Sequence, residues 1–422
     1  MRIGIHTWGS EGDIRPFLAL AHALAARGHT VTVAYTSVEG RSYDDLSAVG
    51  IRSHAVAAAY FKSFGGLTLD HIKGDPITQL NTILTLLFDP VAEEMFHDSA
   101  ALCADTDLDI VHFMHHPAIS AVGRAGKRPI AVFTAPVLPS GRYAPAGAPD
   151  LGPFNRLLWR LGNPLVDRLL GRRVNDLRRR EGLAPVRHFF GDWMDIFPLT
   201  LTAVSPTLFP RPSDWDERHT MCGYLQYPED AVAKELPPSL TSFLDAGEPP
   251  VHLTFGSMFA FGTDDVPVSM DLLARAVRIA GCRAILQAPE PLIGRITADD
   301  ELFPLGGTVS HAALFPRCAA VVHHGGAGTT QAVVRAGRPS VVVAHLVDQF
   351  FWGGLLRKQG IALEPLKRNG LTAEKLARHI RRTLAAPSLA SRAVELGVLA
   401  AAEDGVARAV ELIEAHIKGG PR

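Results

Sequence analysis

A glycine-rich turn between two predicted elements constrains the fold of this chain more than any other feature. The apolar run 319–322 predicts a buried strand, and residues 331–336 predict a helix. Between them stands the sequence His323-His324-Gly325-Gly326-Ala327-Gly328-Thr329-Thr330. Glycines let backbone amides come close to a ligand, and the start of a helix adds free N–H donors. The turn therefore predicts an anion site, most simply for phosphate.

The side chains of this turn add to the predicted anion site. Thr329 and Thr330 can supply hydroxyl donors, and His323 can donate an imidazole N–H to a phosphate oxygen. No lysine follows the glycines, so the turn is not a Walker A loop. The alternative interpretation is that the strand-to-helix corner needs glycine merely to bend.

The next predicted strand, residues 339–344, favours the ligand-binding interpretation. Ligands gather at the carboxyl ends of parallel strands, so Asp348 and Gln349 should lie on the same rim as the glycine turn. A carboxylate acceptor beside an amide that both donates and accepts suits the hydroxyls of a sugar. The alternative is that Asp348 caps the helix predicted over 350–358.

Together these motifs resemble the donor-binding signature of nucleotide-sugar glycosyltransferases with the GT-B fold. The resemblance is carried by segments 311–318 and 323–330, by Asp348-Gln349, and by the sequence Gly9-Ser10-Glu11-Gly12-Asp13. It is closest to bacterial natural-product glycosyltransferases of the glycopeptide and macrolide type and to sterol 3-beta-glucosyltransferases. It implies an α/β fold in which two doubly wound, Rossmann-like parallel-sheet domains face a central cleft.

The resemblance also implies roles for residues of the C-terminal half. Ser257 would bond the diphosphate or the sugar, and backbone groups at Val309 would hold the nucleotide base. The full predicted donor-binding set is Ser257, Val309, His323, Gly325, Gly326, Gly328, Thr329, Asp348 and Gln349. A tryptophan that often stacks on the base in plant enzymes is absent, so the co-substrate is expected to be either a UDP-sugar or a dTDP-sugar. No metal ion and no further cofactor are expected, because no acidic cluster stands near the donor site.

The length of 422 residues exceeds what one hydrophobic core usually supports, so two domains are expected. We predict an N-terminal acceptor-binding domain, a proline-rich linker, a C-terminal donor-binding domain and a final helix that returns to the first domain, as the resemblance implies. Their predicted boundaries are 1–215, 216–237, 238–390 and 391–422. A hydrophobic content of 47% and a formal net charge of −1 give no indication of nucleic acid as a partner.

Cysteine usage and the N-terminal sequence predict a cytoplasmic protein. The four cysteines are scattered without metal-type spacing, and neither a signal-peptide pattern nor a membrane-spanning run is present. Segment 154–181 alternates leucines with arginines. We expect it to be a solvated helix face, with weak contact to a membrane surface, and hence a peripheral membrane location, as the lesser alternative.

The first predicted βαβ unit supplies the candidate catalytic base. Its loop lacks the glycine spacing of a dinucleotide fingerprint, which argues against an NAD-dependent enzyme. Asp13 lies in this loop at the carboxyl end of the first strand, where it can accept the proton of an attacking hydroxyl. In the antibiotic glycosyltransferases that the loop resembles, the aspartate here is a base candidate. Alternatively, Asp13 only stabilises the helix N-terminus, and His115 or His116, after the strand over 109–114, is the base.

The sequence thus predicts an inverting, metal-independent glycosyltransferase. It would move a sugar, with glucose as the first choice, from the nucleotide to a hydroxyl of an apolar small molecule such as a sterol. The irregular segment 40–104 would form the acceptor pocket, and His323 with the turn amides would stabilise the departing diphosphate. Two alternatives remain: a nucleotide-sugar epimerase of the same architecture, which needs no acceptor, and a non-catalytic sensor, which binds donor without turnover.

Overall fold

Two parallel β-sheets, one in each half of the chain, carry the architecture of the protein. A computed structural model describes residues 1–64, 74–145, 148–227, 235–256, 266–294, 296–307 and 309–419. In both halves the strands alternate along the chain with helices, which is typical of doubly wound proteins. The predicted α/β class with two doubly wound sheets is therefore confirmed.

The described N-terminal half forms a seven-stranded sheet. Its strands are β1 (Arg2–Gly9), β2 (Thr30–Ser37), β3 (Arg52–Ala55), β4 (Leu108–His112), β5 (Ile130–Phe133), β6 (Thr200–Thr202) and β7 (His219–Met221). Its helices are α1 (Glu11–Ala26), α2 (Ala58–Ser63), α3 (Pro76–Ile83), α4 (Ala92–Ala104), α5 (His116–Arg124), α6 (Asn155–Val166) and α7 (Arg172–Arg180). The spatial order is β3-β2-β1-β4-β5-β6-β7, so the order of connection reverses between β1 and β4.

The described C-terminal half forms a six-stranded sheet. Its strands are β8 (Val251–Thr254), β9 (Ala284–Ala288), β10 (Leu302–Gly306), β11 (Ala320–His323), β12 (Ser340–Ala344) and β13 (Leu366–Lys367). Its helices are α8 (Pro238–Asp245), α9 (Val266–Ala280), α10 (Glu290–Ile293), α11 (His311–Leu314), α12 (Ala327–Arg335), α13 (Val347–Lys358) and α14 (Ala373–Leu384). The order β10-β9-β8-β11-β12-β13 reverses between β8 and β11. Two helices follow, α15 (Pro387–Ala401) and α16 (Gly405–Gly419).

Successive residues of the N-terminal strands pack on opposite faces of the sheet. Ile110 of β4 belongs to a core cluster with α1 and α16, whereas Val111 packs with α5. Because side chains alternate along a strand and both faces are apolar here, helices cover both sides. Ala409 and Ile413 of α16 belong to the first of these clusters, so the end of the described chain packs on the N-terminal sheet.

The two halves meet through a polar contact on helix α12. The Oε1 of Gln331 accepts the N–H of Ser205 at 2.8 Å, and its Nε2 donates to the carbonyl of Ala203 at 3.2 Å. Beside this contact, Trp352 of α13 and Phe209 lie in one shared core cluster. The helix that begins at the glycine turn therefore touches the N-terminal half about one turn later.

Two predicted elements of the C-terminal half have different boundaries in the structure. The helix predicted over 331–336 begins at Ala327, because Gly326 is its N-cap. The sequence pattern also predicts a strand near 308–310, and this is wrong for the described residues 309–310, since β10 ends at Gly306 and Ser310 instead caps α11.

Two further predictions concern the ends of the halves. Strand β7 lies inside 216–237, the stretch predicted as the linker, and extends the N-terminal sheet beyond residue 215. The single helix predicted near 391–416 is two helices, because Asp404 accepts the N–H of Ala407 at 2.9 Å and caps a new helix.

No individual helix in the described ranges has both the length and the apolarity of a membrane span. Helix α14 and the segment Pro387–Gly419, which are bent by 71° relative to each other, together have the length and composition of a span, and no other observation in the described chain supports one.

The four cysteines are free thiols. Cys103, Cys222 and Cys318 are buried, and Cys282 is half-buried. Burial raises the pKa of Cys222 and of Cys318 to about 12 and that of Cys282 to about 11. These thiols are therefore protonated at neutral pH.

Candidate active site

Each sheet places its candidate site residues where the strand order reverses. Ligands of open parallel sheets bind at the carboxyl ends of the strands at such a point. In the N-terminal sheet, β1 leads to Asp13 and β4 ends at His112. In the C-terminal sheet, β8 leads to Gly256 and β11 leads to the glycine turn. The residues singled out from the sequence thus belong to two facing loop clusters.

The glycine turn has a backbone that other residues cannot adopt. Gly325 has φ +88°, and a Cβ added there would lie 2.9 Å from the Val342 side chain and 3.0 Å from the carbonyl oxygen of Gln349. Gly326 is the N-cap of the nine-residue helix α12. The first N–H groups of α12 have no partners inside the helix, so they are available to an anion. The alternative interpretation, that the corner needs glycine in order to bend, therefore also applies to Gly325.

His323, the predicted phosphate ligand, is buried and bonds to the backbone of the glycine turn itself. Its ring is fully buried, and its Nδ1 accepts the N–H of Gly325 at 3.2 Å. Its Nε2 is buried without a partner in the described part of the chain. Burial, with help from neighbouring His324, His311 and His252, lowers the pKa of His323 to about 3, so the ring is neutral. This geometry favours a role in holding the turn rather than in touching a phosphate.

His324, which the sequence interpretation passed over, lies between the two glycine loops of the C-terminal sheet. A Cβ added at Gly326 would lie 2.3 Å from its Nε2, and one added at Gly256 would lie 3.0 Å from its Cε1. Burial lowers the pKa of His324 to about 4, so the ring is neutral at physiological pH. A neutral imidazole there can donate one N–H toward an anion on the turn. Side chains alternate along a strand, which was the available signal that the two histidine rings at the end of β11 point to different sides.

Asp348 and Gln349 lie in the first turn of α13 but have different surroundings. Asp348 is exposed, whereas Gln349 is 4% exposed. The Oε1 of Gln349 accepts the N–H groups of His345 at 2.6 Å and Leu346 at 3.1 Å. The capping role weighed for Asp348 is thus performed by Gln349, whose amide oxygen is occupied by the loop. Desolvation of the carboxylate raises the pKa of Asp348 to about 6, although the residue as a whole is exposed.

The remaining predicted donor residues lie around the glycine turn. Ser257 lies outside the described residues, directly after Gly256. Val309 is half-buried, and its side chain packs against the core beneath α11. Thr329 is half-buried in the first turn of α12, and Gly328 faces the linker residue Tyr224, whose hydroxyl would lie 3.9 Å from an added Cβ.

The two carboxylate oxygens of Asp13 have different partners. Oδ2 accepts the backbone N–H and the hydroxyl of Ser10, both at 3.0 Å, and so caps α1. Oδ1 lies 3.8 Å from the Nε2 of His112, and the side chain remains 37% exposed. Burial raises the pKa of Asp13 to about 6, and the negative charges of Asp348 and Glu39 add to this rise. The hydrogen bonds from Ser10 act in the opposite direction and lower the pKa. Capping and a basic carboxylate are thus compatible in this one residue.

His112, at the end of β4, is the neighbour of Asp13 that the sequence did not identify. Its Nδ1 accepts the N–H of Met114 at 3.2 Å, so the neutral ring carries its proton on Nε2, which faces Asp13. Burial lowers the pKa of His112 to about 3. The ring packs between Trp8 and Phe17 at centroid distances of 6.4 and 5.7 Å.

The two histidines predicted as alternative bases have other surroundings. The Nδ1 of His115 accepts the N–H of Ala118 at 3.1 Å and caps α5. Both ring nitrogens of His116 are buried without partners in the described chain, and the ring packs 4.8 Å from that of Phe88. Burial lowers the pKa of His116 to about 3 and that of His115 well below the usual value. Neither ring is suited to gain a proton.

An apolar wall stands beside Asp13. It is a core cluster that includes Trp8, Phe61, Leu84 and Phe88, with Trp8 and Phe88 in edge contact at 4.5 Å. Leu346, from the loop before α13, packs against the same cluster, so the C-terminal half contributes to this wall. Residues 65–73 of the predicted acceptor segment lie outside the described chain.

One group of possible metal ligands exists in the described residues, but it is a closed hydrogen-bond network. His6, Cys103 and Asp109 lie within 4.8 Å of one another and are buried. Asp109 already bonds to His6 at 3.2 Å, to Thr106 at 2.7 Å and to the Lys127 ammonium at 3.1 Å. The Lys127 ammonium, which also donates to the carbonyls of Cys103 and Thr106, already balances the charge of Asp109, and we interpret the group as structural.

Comparisons with known proteins agree with the two-sheet geometry. Residues 304–415 match the family described as erythromycin biosynthesis protein CIII-like, C-terminal domain. The O-mycaminosyltylonolide 6-deoxyallosyltransferase of Streptomyces fradiae is 31% identical, over 98% of this chain and 97% of its own. A sterol 3-beta-glucosyltransferase of Arabidopsis thaliana is 30% identical, over 99% of this chain and 68% of its own.

The architecture also has counterparts among solved structures. A glycosyltransferase from Streptomyces sp. SF2575, solved in complex with thymidine diphosphate, superposes with a TM-score of 0.67. The superposition covers 99% of this chain and all of that one, at 18% sequence identity. At this level of identity the structural likeness supports the fold alone.

Proposed function

Because this chain belongs to the GT-B glycosyltransferases, in the family that contains the macrolide and sterol enzymes, we propose that it glycosylates an apolar small molecule. The donor is a UDP-sugar or a dTDP-sugar, with glucose as the first choice of sugar. The acceptor is a sterol or another lipophilic natural product that carries a hydroxyl group. The reaction proceeds with inversion and requires no metal ion.

The donor diphosphate binds at the glycine turn of the C-terminal half. This assignment is supported by the close approach that Gly325 and Gly326 permit, by the free N–H groups of α12, and by the ring of His324 beside them. The negative charge that develops on the departing diphosphate meets these donors, and such stabilisation is a large catalytic term in group transfer. The sugar lies toward the exposed carboxylate of Asp348.

The acceptor binds against the apolar wall of the N-terminal half. Trp8 and Phe88 supply aromatic surface, and Leu346 approaches from the other half. The indole Nε1 of Trp8 is buried without a partner in the described residues, which leaves one donor for a polar substituent of an otherwise apolar molecule. These features support a lipophilic acceptor with few polar groups.

Asp13 is the base in this proposal. It takes the proton of the acceptor hydroxyl while the oxygen forms a bond to the anomeric carbon and the bond from that carbon to the diphosphate breaks. A single displacement from the face opposite the diphosphate inverts the anomeric centre. A pKa of about 6 leaves Asp13 ionised at neutral pH yet more basic than an ordinary carboxylate.

One observation carries most of this proposal. Asp13 of the N-terminal half and Asp348 of the C-terminal half are close enough that the charge of Asp348 raises the pKa of Asp13, while Leu346 packs against the wall beside Trp8. A proton acceptor, a sugar-side carboxylate and an apolar wall thus converge on one cleft. This arrangement suits transfer between two substrates better than binding of a nucleotide sugar alone.

An acceptor screen tests the proposal. The purified protein is incubated with UDP-glucose or dTDP-glucose and a panel of sterols and macrolide aglycones, and products are identified by mass spectrometry, with Asp13→Asn as the inactive control. We expect a mass gain of one hexose on an apolar acceptor with one of the donors. Conversion of the donor to an epimer without acceptor, or donor binding with no turnover across the panel, would contradict the proposal.

A further inference from the structure

A stripe of exposed apolar side chains runs along α6. Of the twelve large hydrophobic residues exposed in the described chain, five fall within 15 positions of one another here, and we call them the α6 face: Leu151, Phe154, Leu157, Leu161 and Leu165. Spacings of three and four residues from Phe154 onward place these side chains on one side of the helix. Phe154 is 64% exposed, Leu157 is 52% exposed and Leu161 is 68% exposed, which is unusual for three successive residues of one apolar stripe.

The opposite side of α6 is firmly anchored. Asn155 is fully buried, and Trp159 is 8% exposed with its Nε1 donating to the carbonyl of Tyr143 at 3.0 Å. The amide of Asn155 donates to Asp150 at 2.8 Å and its oxygen accepts the N–H of Leu151 at 3.0 Å. The α6 face therefore points outward because the helix is held by its other side.

Arginines flank the α6 face. Arg160 and Arg168 are exposed, and neither pairs with an acid in the described part of the chain. Arg172 is 80% exposed and has only a 3.8 Å contact with Asp176, while Arg156 pairs with Asp214 at 3.1 Å.

Asp167, on the same helical segment, does not neutralise these arginines. Asp167 accepts the N–H of Phe189 at 2.6 Å and lies 3.2 Å from the ring of His188, so it is turned toward the protein. The surface around the α6 face is therefore apolar with a net positive border.

An open cavity of about 570 Å³ adjoins the end of the α6 face. Leu165, Arg168 and Arg172 line one side, and Ile77 and Thr78 of α3 line the other. Ile77 is itself 44% exposed, which continues the apolar surface from α6 to α3.

Asp89 and Asp176 also line this cavity. Asp89 pairs with Arg173 at 3.0 Å, and Asp176 lies 3.8 Å from Arg172. Arg168 is the lining arginine that has no acidic partner in the described chain, so it can meet an anionic headgroup.

We propose that the α6 face docks the protein on an anionic lipid bilayer. The leucines and Phe154 enter the boundary between headgroups and acyl chains, and Arg160, Arg168 and Arg172 lie at the level of the lipid phosphates. The helix lies along the bilayer and does not cross it. The apolar stripe with its arginine border is complementary to an anionic bilayer, and less so to an uncharged surface. Membrane docking is a property separate from glycosyl transfer, and it can be measured in the absence of donor and acceptor.

Vesicle sedimentation tests the docking. The full-length protein is mixed with vesicles of phosphatidylcholine alone or of phosphatidylcholine with phosphatidylglycerol, at low and high salt. We expect binding to the anionic vesicles, weakened by salt because the arginine contribution is screened. Leu161→Glu should weaken binding by about tenfold or more, since one buried leucine side chain is replaced by a charge. Arg160→Glu with Arg168→Glu should weaken it on anionic vesicles only.

A matched control comes from helix α15. Val398, on α15, is 67% exposed, against 68% for Leu161 on α6. Val398→Glu should leave vesicle binding unchanged, and thermal melts should show both variants folded. Binding that is absent, salt-independent or equally reduced by Val398→Glu would overturn the proposal. So would a dimer in analytical ultracentrifugation that Leu161→Glu dissociates while wild-type protein ignores vesicles, because the face would then join two copies.

Discussion

The Nε2 of His112 faces the Oδ1 of Asp13 at 3.8 Å, at the point where the N-terminal sheet reverses its strand order. The other oxygen of Asp13 is occupied by Ser10, so one oxygen caps the helix and the other faces the cleft. A separation of 3.8 Å exceeds hydrogen-bond length by somewhat less than about 1 Å. A small rotation of the Asp13 or His112 side chain would therefore complete an N–H···O bond that holds the carboxylate in place.

Asp13→Asn tests the base directly. The amide keeps the shape and an oxygen for Ser10 but cannot take a proton at neutral pH. We expect transfer to fall by roughly 10²–10⁴-fold with donor affinity retained, because a positioned general base contributes about that much. The free energy of unfolding should change by at most about 1 kcal/mol, the usual value of a helix cap. Single-turnover kinetics and denaturant melts measure both.

A folded Asp13→Asn enzyme with most of its activity would move the base elsewhere. His115 and His116 would then be the next candidates, and their Ala variants should be the inactive ones. Since His115 caps α5 and His116 lies against Phe88, we expect instead that these Ala variants lose stability more than rate.

His112→Ala tests the positioning of Asp13. Removing the Nε2–H should lower kcat by about fivefold, which corresponds to one hydrogen bond of about 1 kcal/mol, and leave donor affinity unaltered. His112→Gln restores a side-chain N–H of similar reach and should recover part of the rate. If Gln and Ala behave alike while both proteins melt at the wild-type temperature, His112 does not act on Asp13.

The value of kcat/KM should fall at acid pH because Asp13 becomes protonated, which gives the pH profile an acid limb. Burial raises the pKa of Asp13 to about 6, so the carboxylate is protonated and inactive as a base below that pH, and activity rises as pH increases through it. The charge of Asp348 contributes to the raised pKa. Asp348→Asn should therefore shift the limb to lower pH in whatever activity remains. A limb that disappears in this variant would belong to Asp348, whose own pKa is also raised to about 6.

The adjacent histidines of the glycine turn form a matched pair for donor binding. His324→Ala should weaken affinity for the nucleoside diphosphate by about 1.5–3 kcal/mol, the contribution of a hydrogen bond to a charged group. His323→Ala removes the acceptor of the Gly325 N–H and should chiefly lower the melting temperature, with a smaller loss of affinity. Titration calorimetry compares them. A larger loss of affinity for His323→Ala would return the phosphate contact to that residue, as the sequence favoured.

Asp348 and Gln349 should separate sugar recognition from loop structure. Asp348→Ala should slow turnover of the nucleotide sugar by about tenfold or more, as expected for a hydrogen bond to a charged group, while affinity for the free nucleoside diphosphate stays almost unchanged. Gln349→Ala removes two loop hydrogen bonds next to Gly325 and should weaken both ligands together. Equal losses for both ligands in Asp348→Ala would reject its assignment to the sugar.

The features that were predicted correctly from the sequence depend on patterns within short segments of the chain. The glycine spacing and the 319–322 apolar run identify the strand, turn and helix, and the βαβ pattern places Asp13 at the end of β1. His112 could not be assigned to Asp13, because their contact depends on β4 lying beside β1, and nearly 100 residues separate them in the chain. The choice between His323 and His324 depends on how each ring is oriented where β11 ends, and burial does not distinguish them because both are buried. The capping by Gln349 depends on a side-chain conformation that sequence spacing does not reveal.

The reactivity of the buried thiols can report when the protein opens locally. Cys103 and Cys222 lie in the N-terminal half and Cys318 in the C-terminal half, and all three are enclosed by core side chains. An alkylating reagent attacks thiolate, and only after the surrounding structure has separated. Labelling rates at these three sites would therefore time the opening of each half independently, without any added probe, and would show whether a bound sugar nucleotide slows one half or both.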